Sequence, residues 1–179
     1  MMDASRRREM MAPAVVSVVG LATIATAWGF ELIGGFIPCA LCLQERVPYY
    51  IGLPLAVAAL LAAVAGARPT VVRMLLVAAG ITFAYGAYLG IYHAGAEWGW
   101  WLGPADCGGN APAVADVDDL LGQLDNIRVV SCTAASWRLL GLSFAGWNAV
   151  VSIFLVAVAM WGAFRPLAEE PAEVARSRA

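Results

Sequence analysis

Charge is what this 179-residue chain has least of: 13% of its residues are charged and 61% are hydrophobic, with a mean hydropathy of +0.75. An ordinary soluble domain carries about 25% charged residues, so a water-solvated globular fold is excluded and a chain dissolved mainly in lipid is indicated. Lysine is absent; all eleven basic residues are arginine, and nothing in the sequence explains that choice. The arginines form no nucleic-acid-binding patch and the net charge is −2, so nucleic acid is not an expected partner. Histidine occurs once, as His93, and cysteine four times, as Cys39, Cys42, Cys107 and Cys132. A four-cysteine zinc cage wants two close ligand pairs. Here the second pair is separated by twenty-four residues, and no metal is expected.

What fills the chain instead is long apolar runs, at about 12–33, 43–67, 70–91 and 143–164. Each has the roughly 20 residues that a helix needs to cross a hydrocarbon core. The expected fold is an all-α membrane protein, a single domain over 1–179 built as a four-transmembrane-helix bundle. Ala25-Thr26-Ala27 has the small-x-small form of a signal-cleavage site, but apolar character continues past it to Ile37, so an uncleaved first span is expected. Glu31, near the outer end of that span, is costly against lipid and is expected to face the bundle or the interface. Pro48 and Pro54 predict a local kink in the second span. Gly80, Gly86 and Gly90, with Ala78, Ala79, Ala84 and Ala87, predict close helix packing in the third.

Two loops, about 34–42 and 92–142, lie on one side of this bundle, and a polar tail, 165–179, lies on the other. In the longer loop Trp98-Gly99-Trp100-Trp101 reads as an interfacial aromatic anchor. Val114, Val117, Leu120, Leu121 and Leu124 recur at helical spacing there, predicting a short amphipathic helix. Arg6, Arg7, Arg8, Arg68, Arg73, Arg165, Arg176 and Arg178 flank the ends opposite those loops; the loops carry Arg128 and Arg138, and Arg46, at the outer end of the second span, is the exception that asks for a reason. The positive-inside rule therefore assigns both termini to the cytoplasm and all four cysteines to the outer face, which suits an oxidising compartment.

The chemistry is concentrated in Pro38-Cys39-Ala40-Leu41-Cys42-Leu43-Gln44-Glu45-Arg46. Two thiols three positions apart at a helix start meet unpaired N–H groups and the positive end of the helix dipole, both of which favour a thiolate. Arg46, four residues after Cys42, shares its helical face and brings a permanent cation. A CxxC disulfide closes too small a ring to staple a fold, so the pair is better suited to exchange than to stabilisation. Structural disulfides in a non-catalytic scaffold remain the competing reading. His93, ending the third span near the same surface, is either a quinone-contacting or proton-passing group or an interfacial histidine satisfied by water or backbone. Glu45 and Glu97 could also handle protons, but surface solvation is the expected reading of each.

These residues resemble the disulfide bond formation protein B (DsbB) family of inner-membrane thiol oxidases over nearly the whole chain. The resemblance rests on the PCxLCxxxR stretch just quoted, on Tyr92-His93-Ala94-Gly95-Ala96-Glu97-Trp98, on Cys107, and on Ser131-Cys132 followed by Trp137-Arg138-Leu139-Leu140-Gly141-Leu142-Ser143. The vitamin K epoxide reductase type, also four-helical, carries its CxxC near the last span and fits less well. The resemblance implies a protein-dithiol:quinone oxidoreductase of the bacterial inner membrane, with the cysteines periplasmic. A reduced DsbA-like thioredoxin-fold oxidase would attack a Cys107–Cys132 disulfide at Cys107. Cys132 would then attack Cys39, and the freed Cys42 would donate into a quinone, ubiquinone or menaquinone, held by Arg46 and by His93. The DsbA–DsbB–quinone route is how the bacterial periplasm is known to be kept oxidising.

Overall fold

In hydrocarbon, a lone chain segment can satisfy its backbone N–H and C=O groups only as a helix, and each of the four apolar runs becomes one. The computed structural model describes residues 4–103 and 133–165. Its helices are α1 (Ala4–Leu32), α2 (Ala40–Ala65), α3 (Pro69–Glu97) and α4 (Phe144–Phe164). All four are long and apolar enough to cross a membrane. Cys107, Cys132, the expected amphipathic helix near 114–124 and the tail from 166 lie outside the described residues.

The helix ends explain where the apolar runs and the helices differ. Backbone helicity begins at Ala4, well before the first apolar run, because arginine and glutamate are good helix formers in water. α2 begins at Ala40, with Cys39 as its N-cap: the Cys39 Sγ accepts a hydrogen bond from the Cys42 backbone N–H at 3.3 Å. At its other end Gly66 adopts φ +74°, and the Ala67 N–H reaches back to the Ala62 carbonyl at 2.9 Å, a Schellman-type closure. Pro69 then opens α3, where its missing N–H costs nothing. α3 continues six residues past the apolar run, to Glu97, because His93 and Glu97 find partners inside the bundle. α2 remains one continuous helix through Pro48 and Pro54, although each proline leaves the carbonyl four residues before it without its helical N–H partner.

β1 (Arg138–Leu139) and β2 (Leu142–Ser143) make a minimal antiparallel hairpin before α4. Its turn residues, Leu140 and Gly141, have φ of 52° and 85°, as a type I′ turn requires. Ser143 ends the hairpin and caps α4, accepting from the Gly146 N–H at 3.2 Å.

The helices form a ring in sequence order. α3 packs broadly on α2 and α4, α1 packs on the same two neighbours, and α1 and α3 barely meet. Val16, Leu76, Phe83 and Leu155 fill the core, while Leu21, Leu61, Met74 and Ile81 point outward, as residues solvated by lipid do. Ala84 is also exposed, so not every small residue of the third span serves helix packing. Arg73 and Arg165 meet at one end of the ring: an Arg73 N–H donates to the Arg165 carbonyl at 2.6 Å, and the Arg165 guanidinium lies 4.7 Å over the Trp161 ring. The CxxC stretch lies at the other end.

Gly90 sets the closest approach of α3 and α4. A Cβ there would lie 2.8 Å from the Ala149 backbone nitrogen, whereas one at Gly80 would meet only the mobile methyl end of Met160. Gly90→Ala is therefore expected to destabilise the bundle by about 1–3 kcal/mol, and Gly80→Ala by clearly less. Unfolding of both variants in detergent, followed by circular dichroism, measures the difference; equal losses would show that α4 slides freely past α3.

Candidate active site

Consecutive residues of a helix point about 100° apart, so Glu45 and Arg46, one turn into α2, reach for different neighbours. Glu45 turns towards α3, where its Oε1 lies 2.7 Å from His93 Nδ1. Arg46 turns towards α1, where an Nη1–H donates to Glu31 Oε2 at 2.5 Å and the guanidinium lies 5.2 Å from the Trp28 ring centroid. Both side chains are buried, Arg46 at 8% exposure and Glu45 at 7%. Glu31 therefore faces the bundle, and its partner is the arginine that broke the one-sided distribution of basic residues.

The two thiols sit one turn earlier. Cys39 is buried, Cys42 half-buried, and both are free. The Cys39 S–H donates to the Cys42 sulfur at 3.1 Å. That bond first, and burial second, push the Cys39 thiol up from 9.0 to about 12, against a smaller lowering by His93. Cys39 therefore holds its proton at neutral pH and shares it with Cys42, the sulfur that accepts.

His93 is 3% exposed and stands between acids and thiol: Nδ1 against Glu45, Nε2 at 3.8 Å from Cys39 Sγ and at 3.8 Å from Glu97 Oε1. The reading of it as a water-satisfied interfacial histidine is thus overturned. So is the expectation that Glu45 and Glu97 are surface-solvated, since the Glu97 side chain is only 6% exposed. Its Oε2 is buried with no hydrogen-bond partner among the described residues. Polar groups in a lipid-solvated bundle are stable only against one another, and these have gathered at one end.

All of them border one cavity of about 610 Å³. Cys39, Cys42, Glu45, Arg46 and His93 line one part of it; Val18, Val19, Ala22 and Ala27 of α1 line an apolar wall. Phe30, Phe36, Trp137 and Phe144 border it too, packed edge-on and stacked at centroid separations of 4.8 to 5.8 Å. Asn148 of α4 also lines it, and no spacing argument had singled it out. Tyr49 donates its hydroxyl to Asn148 Oδ1 at 2.9 Å, while Asn148 Nδ2 is buried without a hydrogen-bond partner among the described residues. The available signal was an amide inside an apolar run, where an unneeded polar group is expensive. Ala134 and Ser136 reach the same cavity from the segment that follows Cys132.

Trp98, Trp100 and Trp101 are all exposed, as an interfacial anchor requires. Trp101 is also tied to α3, stacking on Tyr92 at 6.1 Å and donating its indole N–H to the Tyr92 carbonyl at 2.8 Å.

Comparison with known proteins agrees with this architecture. An uncharacterized protein of Rickettsia prowazekii (strain Madrid E), RP370, is 25% identical over 148 residues, which is 79% of this chain and 80% of that protein. No solved structure is matched at a significant level. The model of the family described as disulfide bond formation protein DsbB matches residues 8–162, nearly the whole bundle. The chain therefore belongs to the DsbB family, as a multi-pass membrane oxidoreductase of disulfide bond formation.

Proposed function

We propose that this protein reoxidises a DsbA-like, thioredoxin-fold thiol oxidase and passes the electrons through Cys107–Cys132 and then Cys39–Cys42 to a membrane quinone, ubiquinone or menaquinone. The observation that carries this reading is the two-faced cavity. A charged group of side chains beside the CxxC pair adjoins a long apolar wall, which suits a ligand with a polar ring and a hydrocarbon tail. When bound, a quinone supplies an acceptor for two electrons and two protons. The residues present fit such a ring. Arg46 has N–H donors beyond the one given to Glu31, and Asn148 Nδ2 is a buried donor in need of an acceptor.

The chain's own steps are thiol exchanges. The partner's thiolate attacks Cys107, forming a mixed disulfide and releasing Cys132. Cys132 attacks Cys39, so the Cys39–Cys42 bond breaks, a Cys39–Cys132 bond forms, and Cys42 leaves with the electron pair. The partner's second thiolate then displaces Cys107 from the mixed disulfide and the partner leaves oxidised, after which Cys107 attacks Cys132, restoring the Cys107–Cys132 bond and freeing Cys39. Cys132 stands two residues before Ala134, which lines the cavity, and this supports the handover. Glu45 fixes the orientation of His93, whose Nε2 faces the Cys39 sulfur and is placed to take its proton when the pair closes again. Glu31 and Trp28 hold Arg46 in a dry site, where its charge acts on Cys42 and on the ligand with little screening. The arginine distribution supports an inner-membrane orientation with both termini cytoplasmic and the cysteine end periplasmic.

Two experiments test this. In steady-state assays at varied quinone, Arg46→Ala is expected to raise the apparent KM by about ten- to hundredfold, since a charge-assisted hydrogen bond contributes about 1.5–3 kcal/mol. Arg46→Lys, which keeps the charge but loses the planar fork, should show a smaller rise. Asn148→Ala should raise KM by about two- to tenfold, as befits a neutral bond. Disulfide exchange with the partner should be unchanged in all three, and unaltered quinone kinetics in Arg46→Ala would reduce this arginine to a packing residue. Separately, Cys132→Ser should trap the partner on Cys107 as a mixed disulfide visible on non-reducing gels. Trapping by Cys107→Ser and not by Cys132→Ser would reverse the two roles.

A further inference from the structure

A metal cage made from all four cysteines is disfavoured by their spacing, but the fold assembles a different ligand set. Cys39 Sγ, Cys42 Sγ and His93 Nε2 all lie within 4.8 Å of one another at the end of the cavity. We infer that the reduced Cys39–Cys42 pair and His93 form a binding site for a thiophilic divalent cation, zinc foremost, which exists only while the pair is reduced.

Tetrahedral zinc, with Zn–S near 2.3 Å and Zn–N near 2.0–2.1 Å, spaces its ligand atoms about 3.4–3.8 Å apart. The Cys39 Sγ to His93 Nε2 separation is already 3.8 Å. The two sulfurs, at 3.1 Å, need to part by about 0.7 Å to reach that spacing, a small rotation of the half-buried Cys42 side chain. The histidine is prepared as metal-binding histidines are. With its Nδ1–H donated to Glu45 Oε1 at 2.7 Å, its Nε2 lone pair faces the sulfurs, and the carboxylate behind the ring fixes its tautomer and orientation. Glu97 stands next to the group: its Oε1 lies 3.8 Å from Nε2, and its Oε2 is buried with no hydrogen-bond partner among the described residues. It lies outside the set of atoms within 4.8 Å of one another, so three protein ligands are assigned and the fourth position is left to water.

Binding displaces the two S–H protons, and the two thiolates balance the charge of the ion. No electrons move, because zinc is redox-inert. When the pair oxidises, both sulfurs are committed to the S–S bond and the site loses two of its ligands. The ion and the disulfide are therefore mutually exclusive, and a bound ion would hold the pair open. Only that inhibitory consequence rests on the quinone-linked relay proposed above; the binding site does not.

Binding itself is the test. Full-length protein carrying Cys107→Ser and Cys132→Ser, so that only the Cys39–Cys42 pair remains, is reduced anaerobically, freed of reductant and titrated with Co2+ as the probe. One equivalent is expected to give thiolate-to-cobalt charge-transfer absorption that Zn2+ then displaces. The oxidised protein and the Cys42→Ser variant should give none. Glu45→Gln should weaken the affinity by about ten- to hundredfold. Absence of the absorption in the reduced protein, or equal absorption after oxidation, would overturn the site. An unaltered affinity in Glu45→Gln would remove His93 from it and overturn the three-ligand assignment. No quinone or partner enters the assay, so its failure leaves the relay untouched, and failure of the relay leaves this result standing.

Discussion

Glu45 and Arg46 are adjacent in the chain and both are buried in a bundle that has lipid for most of its solvent, so neither can be left without a partner. Breaking a buried ion pair by removing one member costs about 3–5 kcal/mol. The two residues answer that constraint in opposite directions, Glu45 towards His93 on α3 and Arg46 towards Glu31 on α1. One turn of α2 is thereby fixed against both of its neighbours. The rotation of α2 that satisfies both acids also sets where Cys39 and Cys42, one turn earlier, face the cavity. The reactive pair is oriented by electrostatics as well as by packing.

The sulfurs are made unequal by position alone. Cys39, as N-cap, lies deeper and receives both the Cys42 N–H and the His93 ring, while Cys42, inside the first turn, is nearer the opening. A pair that differs in burial and in its hydrogen bonds has two chemically distinct sulfurs, which suits the one-way handover proposed above. The cavity then gives that direction an outlet, with charged side chains next to the thiols and an apolar wall along α1.

Much of this was legible in the sequence, and the exceptions have a common cause. Hydrophobic run length gave the four helices, because spanning hydrocarbon imposes a minimum length. The CxxC and the arginine four residues on are local, so their juxtaposition follows from helix geometry. Pairings across helices were not legible. The spans are apolar on nearly every face, so periodicity carries no information on which face of a helix meets which neighbour. Glu45 could not be matched to His93, nor Arg46 to Glu31, and Glu45 and Glu97 read as solvated. Helix ends were missed for the same reason: α3 runs on to Glu97 because its polar residues have partners that only the fold provides. Asn148 was hidden in an apolar run, although a lone amide there deserved the suspicion given to Glu31.

Retention of quinone by the purified protein tests the central claim most directly. Mass spectrometry of the lipid extract should find close to one quinone per protein chain. Ala22→Trp, which fills the apolar wall more than two helical turns from Glu31, should expel it while the Cys39–Cys42 pair still accepts a disulfide from an added oxidant. A protein that purifies without quinone, or an Ala22→Trp variant that retains it in full, would contradict the assignment of this cavity.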